Sequence, residues 1–328
     1  MKRCYRNNTR GIRVCDAISR HCDLHLFNRP SAGSSVIRLR FSGADLNSNR
    51  VRTAEESRAL RSGGGAICGY QLQGHLSFIS AEAVLRDVIE RAAEIEYCIM
   101  DFKRVLSINE SACRLFHALL KTLSEAGKNI VFTHTARFPL VRRYMKTKLG
   151  GEFSKLFRPF DDDDQALEWC EDQLLGEVLE PAGDGDAAGY ELLENFTEAQ
   201  TAALAKHFQR RNFKEGETLI NAGDEAREMF FITRGRASVF VPVENDGRKR
   251  LATFSAGMVF GEMAFIDRAP RSANIVADSE MVCDVLTLRD FDQLGESQPA
   301  LKIKLLENLS LCLCRRLRTA NRKLSVFD

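Results

Sequence analysis

The sequence predicts a multi-domain chain, with an α/β domain whose sheet is covered by helices followed by a β-rich domain ending in a long helix. Three observations carry this. Between residues 66 and 178, strand patterns alternate with amphipathic helical patterns, the order that builds a mostly parallel sheet with helices on its faces. From residue 213 to 288, short strand-like runs follow one another between glycine turns. Between these regions, Glu180-Pro181-Ala182-Gly183-Asp184-Gly185-Asp186-Ala187-Ala188-Gly189 is small, acidic and glycine-rich, as a linker is. The expected division is a basic N-terminal segment over 1–62, the α/β domain over 66–178, the linker over 179–190 and the β-rich domain over 191–328.

In chain order, the N-terminal segment carries Lys2, Arg3, Arg6, Arg10 and Arg13, and later Arg50, Arg52, Arg58 and Arg61, before a soft boundary at Gly63-Gly64-Gly65. The α/β domain reads as a strand over 70–79, a helix over 81–93 and a short buried strand over 97–102 that includes Asp101. A helix over 110–126 follows, closed at Gly127 where a C-cap needs left-handed backbone, and then a strand over 129–133. Asn109 and Ser111 are suited to capping that helix. The run Asp161-Asp162-Asp163-Asp164 lacks the glycine turn and distal glutamate of a calcium loop, and it suits the start of the domain's last helix, where the dipole favours acidic side chains. His117 and His134 show no acidic or cysteine partner at ligand spacing, so no metal is expected.

In the β-rich domain, residues 229–241 read as two strands hinged at Gly235, and Asn245-Asp246-Gly247 supplies a hairpin turn before a strand at 251–254. Further strands are expected over 274–288. The closing helix, over 299–324, carries Leu301, Leu305, Leu309, Leu313 and Leu317 at steps of four, widened by Leu306 and Cys312. Its polar face is basic, with Arg315, Arg316, Arg318, Arg322 and Lys323.

Composition bounds the function. Among 328 residues, 47 Lys and Arg stand against 45 Asp and Glu, so a net charge of +2 gives no global drive toward nucleic acid or membrane. No apolar run approaches the roughly 18 residues that cross a bilayer, and the basic N-terminus lacks the apolar stretch of a signal peptide. The cysteines (Cys4, Cys15, Cys22, Cys68, Cys98, Cys113, Cys170, Cys283, Cys312 and Cys314) have no CxxC spacing, which fits free thiols in a reducing, cytoplasmic compartment.

The densest chemistry lies in Phe260-Gly261-Glu262-Met263-Ala264-Phe265-Ile266-Asp267-Arg268-Ala269-Pro270-Arg271-Ser272-Ala273. One acid and one base stand nine residues apart around a short helical turn. Glu262 can accept a ribose 2′-hydroxyl, and the Arg271 guanidinium can fork onto exocyclic phosphate oxygens. Main chain opened by Gly261 can approach an anion closely.

These residues resemble the phosphate-binding cassette of the cyclic nucleotide-binding domain family, and Arg271-Ser272-Ala273 is similar to the ending found in bacterial catabolite activators. The resemblance implies a jelly-roll domain with Gly261, Glu262, Met263, Ala264, Arg271, Ser272 and Ala273 around cAMP or cGMP. It also implies a homodimer seam along the last helix, with base contacts near Thr319, Ala320 and Asn321. The Thr-Ser pair of the activators is absent there, so adenine and guanine both stay open. The chain ends at Asp328 without a helix-turn-helix region, and direct DNA binding is not expected.

Leu72-Gln73-Gly74-His75-Leu76-Ser77-Phe78 and Ile99-Met100-Asp101-Phe102, continuing to Asn109-Glu110-Ser111-Ala112, resemble STAS domains. That implies signalling through a protein partner, with Ser111 at the position of the family's regulatory serine. Finally, Ile18-Ser19-Arg20-His21-Cys22-Asp23 and Ser48-Asn49-Arg50-Val51-Arg52-Thr53 are similar to the C-terminal edge of bacterial glutaminases of the serine β-lactamase-like type, some of which continue into STAS and cyclic nucleotide domains. Catalysis in that family needs Ser-x-x-Lys, and no serine here has a lysine three positions on. The expectation is therefore a non-enzymatic, cyclic nucleotide-responsive regulator. The alternatives are a truncated or diverged glutaminase and a STAS scaffold with a degenerate nucleotide pocket.

Overall fold

The computed structural model describes residues 36–178, 189–243 and 247–327. Expectations placed on the first 35 residues, on linker residues 180–188 and on Asn245-Asp246 lie outside the described residues. Two compact units result, one from residues 36–48 and 55–178, the other from 49–54 and 189–327.

The first unit is a five-stranded sheet in the order β1-β2-β3-β4-β5. Its strands are β1 (Ile37–Ser42), β2 (Ile67–Leu76), β3 (Tyr97–Ile108), β4 (Asn129–Thr133) and β5 (Arg158–Phe160). Strands β2 to β5 are parallel, and β1, from the basic N-terminal segment, is an antiparallel edge on β2. The helices are α1 (Ala54–Gly63), α2 (Phe78–Glu90), α3 (Glu110–Glu125), α4 (Pro139–Leu149), α5 (Phe153–Leu156) and α6 (Asp163–Val178). Strand alternation sends Cys98, Met100 and Phe102 into the core with α2, α3 and α4, and Tyr97 and Ile99 into the core with α1 and α6. Both faces are covered, which is why 97–102 is almost continuously apolar.

Two boundaries depart from the sequence expectation. Phe78 and Ile79 continue an apolar run, but the Ser77 N–H donates to Ser80 Oγ at 2.8 Å and the chain turns into α2, leaving Ile79 74% exposed. Strand β3 runs six residues past Phe102 because β2 extends beside it, pairing Arg104 with Gln73 and Ile108 with Leu76. Helix α3 starts where expected, with Asn109 Oδ1 accepting the Ala112 N–H at 2.9 Å; Ser111 supplies no cap.

In the second unit, two four-stranded antiparallel sheets enclose a core. The strands are β6 (Phe208–Phe213), β7 (Thr218–Ile220), β8 (Glu228–Arg234), β9 (Arg236–Val243), β10 (Gly247–Ser255), β11 (Val259–Phe260), β12 (Asn274–Ala277) and β13 (Met281–Thr287). One sheet is ordered β10-β9-β12-β7, the other β11-β8-β13-β6. Gly235 turns β8 into β9 at φ 91°, and a Cβ there would meet the Glu280 carbonyl oxygen at 2.4 Å. Residues 49–54 lie along β10, where the Val51 N–H donates to the Thr253 carbonyl at 2.9 Å.

Among the described residues, four α-helices complete this unit: α7 (Glu198–Ala205), α8 (Glu262–Asp267), α9 (Leu288–Ser297) and α10 (Pro299–Phe327). Leu301, Leu305 and Leu309 of α10 share a core with Phe291, Leu294 and the sheet residues Met229, Phe231 and Leu286. The leucine stripe does not stay buried. At about 100° per residue, each step of four advances about 40°, so Leu317 lies about 160° round from Leu301; it is 62% exposed. The buried face instead continues through Cys312 to Arg316. Among the described residues, no helix is long and apolar enough to cross a membrane.

Candidate functional site

Strand β11 brings Phe260 onto Phe230 with parallel rings 4.9 Å apart, and the chain then turns at Gly261 with φ 79° to start α8. Only glycine takes that backbone without strain, and a Cβ would meet Arg271 Nη1 at 2.9 Å. After α8, the backbone of Arg271 bonds the turn at residues 223–224: its N–H donates to the Asp224 carbonyl at 2.9 Å, and its carbonyl accepts the Gly223 N–H at 2.8 Å. The side chain, 8% exposed, donates from Nη1 to the Gly261 carbonyl at 2.8 Å and from Nη2 to the Glu228 carbonyl at 2.5 Å. These bonds use two of five N–H donors, and among the described residues no carboxylate accepts from it. Burial lowers the guanidinium pKa, opposed by the charges of Glu228, Glu262 and Asp224.

Glu262, the first residue of α8, is 5% exposed. Its Oε1 accepts from Arg316 Nη1 at 2.6 Å, while Arg316 Nη2 donates to the Val259 carbonyl at 2.7 Å. The Arg316 guanidinium also lies 4.7 Å from the Phe254 ring centroid. A buried carboxylate therefore ties the cassette to the closing helix α10. Sequence reading placed Arg316 on a basic surface, yet its angular position on α10 is that of Leu305 and Leu309, and this periodicity is the signal that locates it.

The structure brings Gly261, Glu262 and Arg271 together. Met263 and Ala264 follow in α8, with Met263 exposed. Ser272 is exposed and Ala273 half-buried between Arg271 and β12. Thr319, Ala320 and Asn321 are exposed on α10, and Thr319 donates to the Arg315 carbonyl at 3.1 Å. Thr319 lies one turn beyond Arg316, whereas Asn321 is about 140° round from it. Ser111 belongs to the other unit and is half-buried.

A second constellation lies in the first unit and corrects the reading of His134 as lacking acidic partners. Its Nδ1 stands 3.2 Å from Asp101 Oδ1 and 3.4 Å from Asp163 Oδ1, residues distant in sequence that β3 and the start of α6 bring together. Thr133 Oγ1 donates within the cluster, at 3.1 Å from Asp101 Oδ1 and 2.5 Å from Asp163 Oδ1. Hydrogen bonds to Asp101 and Asp163 raise the imidazole pKa to about 9. Burial alone would raise the Asp101 carboxyl, but His134, the Lys103 N–H and Thr133 hold it below its ordinary value. The thiols of Cys98, Cys113, Cys170, Cys283 and Cys312 are buried and free.

Comparison with known proteins covers the second unit and the chain as a whole. The family described as cyclic nucleotide-binding domain matches residues 210–298. Glutaminase 1 of Bradyrhizobium diazoefficiens is 30% identical over 98% of this chain and 52% of its own length, and Glutaminase 2 of the same organism is 29% identical over 98% and 51%. The Cyclic AMP receptor protein of Thermus thermophilus is 27% identical over 43% of this chain and 63% of its own. The chain thus spans about half the length of the glutaminases it matches.

The expectation of a non-enzymatic protein is overturned by these glutaminases, which point to an enzyme. That expectation rested on the absence of a Ser-x-x-Lys pair from a chain that matches about half the length of these relatives. The C-terminal part of this chain carries a cyclic nucleotide-binding domain, and the whole chain is similar to bacterial glutaminases.

Proposed function

We propose that the second unit binds a cyclic nucleotide and that its occupancy regulates a glutaminase-type enzyme, glutamine hydrolysis being the activity of the whole protein. The observation that carries the binding reading is the pair of buried groups in one cassette, Glu262 and Arg271, the latter with spare N–H donors and, among the described residues, no carboxylate bonded to it. Arg271 takes the exocyclic phosphate in a charge-assisted fork. Glu262 accepts the ribose 2′-hydroxyl through Oε2 while Oε1 keeps Arg316. Met263, Ala264, Ser272 and Ala273 line the phosphate side, and Thr319 with Ala320 face the base.

Regulation follows from the shared carboxylate. A ligand that binds Glu262 more tightly when Arg316 is engaged favours one position of α10, and only such a difference shifts an equilibrium. Exposed Ile303 and Leu311 on α10 support a homodimer seam. The first unit, with its mostly parallel sheet and Asn109-capped α3, is proposed as a STAS-type relay to a protein partner.

Cyclic AMP is the first ligand to test, since a matching relative is named for it. Calorimetric titration with cyclic AMP and cyclic GMP decides the reading: saturable heat with either supports it, and no heat or thermal shift with both overturns it.

A further inference from the structure

We propose that Asp101, His134 and Asp163 form a binding site for a divalent transition-metal cation of the zinc class. The three donors come from separate elements at one end of the sheet, namely β3, the residue after β4, and the first residue of α6. Their ligand atoms lie within 4.8 Å of one another. In a tetrahedral site with bonds of about 2.0–2.1 Å, neighbouring donors stand about 3.3–3.4 Å apart. His134 Nδ1 is 3.2 Å from Asp101 Oδ1 and 3.4 Å from Asp163 Oδ1, so both edges fit. The fourth position is left to a water, since Thr133 Oγ1, 2.5 Å from Asp163 Oδ1, stands too close to that oxygen to take a vertex of its own.

The donor chemistry selects the class of ion. One imidazole nitrogen with two carboxylate oxygens suits zinc-like cations, whereas calcium and magnesium take oxygen shells. Asp101 is already oriented, its Oδ1 accepting the Lys103 N–H at 2.7 Å. The side chains of His134 and Asp163, 22% and 29% exposed, give the ion access from solvent. The inference is independent of the nucleotide reading, since none of these residues belongs to the cassette.

The test is Co²⁺ titration of the full chain after removal of metals by chelation, followed by visible absorption. One equivalent should give the intense band of a four-coordinate site without the near-ultraviolet thiolate band that cysteine ligation produces, and Zn²⁺ should displace it. His134→Ala and Asp163→Asn, each shown to be folded by circular dichroism, should weaken binding at least about tenfold. The proposal fails if the wild-type chain binds no Co²⁺, if the thiolate band appears, or if both folded variants bind like wild type. Should the variants misfold, the wild-type imidazole resonances of His134 decide: Zn²⁺ must shift them, and unchanged resonances overturn the site.

Discussion

Arg271 and Glu262 are buried charges with different partners, and mutation separates their roles. Arg271 is held by two carbonyls, which fix its aim without neutralising it. Arg271→Ala should cost nucleotide binding about 1.5–3 kcal/mol, the range for a charge-assisted hydrogen bond, read as weaker affinity by calorimetry. Glu262→Gln should cost less, since an amide oxygen still accepts from a ribose hydroxyl. It also removes the charge paired with Arg316, so a lowered melting temperature should accompany it. Equal affinity losses in the two variants would indicate a folding defect instead of separate ligand contacts. Gly261→Ala should destabilise the unit by about 1–2 kcal/mol through its left-handed backbone, read by denaturant unfolding. The acid and the base were legible from their spacing; Arg316 was not, because a guanidinium reads as surface until its helix face is known.

Helix α10 shows how far periodicity carries. A helix over 299–324 was expected, and the structure has Pro299–Phe327. The five-leucine stripe mixes two faces, which assigns opposite outcomes to two similar substitutions. Leu305→Ala, in the core, should cost about 2–5 kcal/mol, whereas Leu317→Ala should stay within about 0.5 kcal/mol, both by denaturant unfolding. Capping was equally readable at α3, because Asn109 acts on its own helix three residues on. The start of α2 was not, since Phe78 and Ile79 suit a strand and only the Ser77–Ser80 bond turns the chain there. The tail of β3 was hidden too, its residues Arg104 and Val105 being paired by β2 from about thirty positions away.

For the whole molecule, the proposed regulation is tested by ammonia release from glutamine with and without cyclic AMP. A change in rate that Arg271→Ala abolishes is the expected outcome, and an identical rate in every condition would overturn that regulation. By itself the sequence determined the local chemistry: the alternation of strands and helices, the Asn109 cap, the glycine turns and the nucleotide cassette, all of which act within a few residues. Only the tertiary structure decided which distant groups meet. Arg316 reaches Glu262 across 54 positions, and Asp101, His134 and Asp163 converge from three elements. The physical reason is that an ion pair or a ligand set depends on distance in space, and sheet order and helix rotation, not spacing along the chain, set that distance.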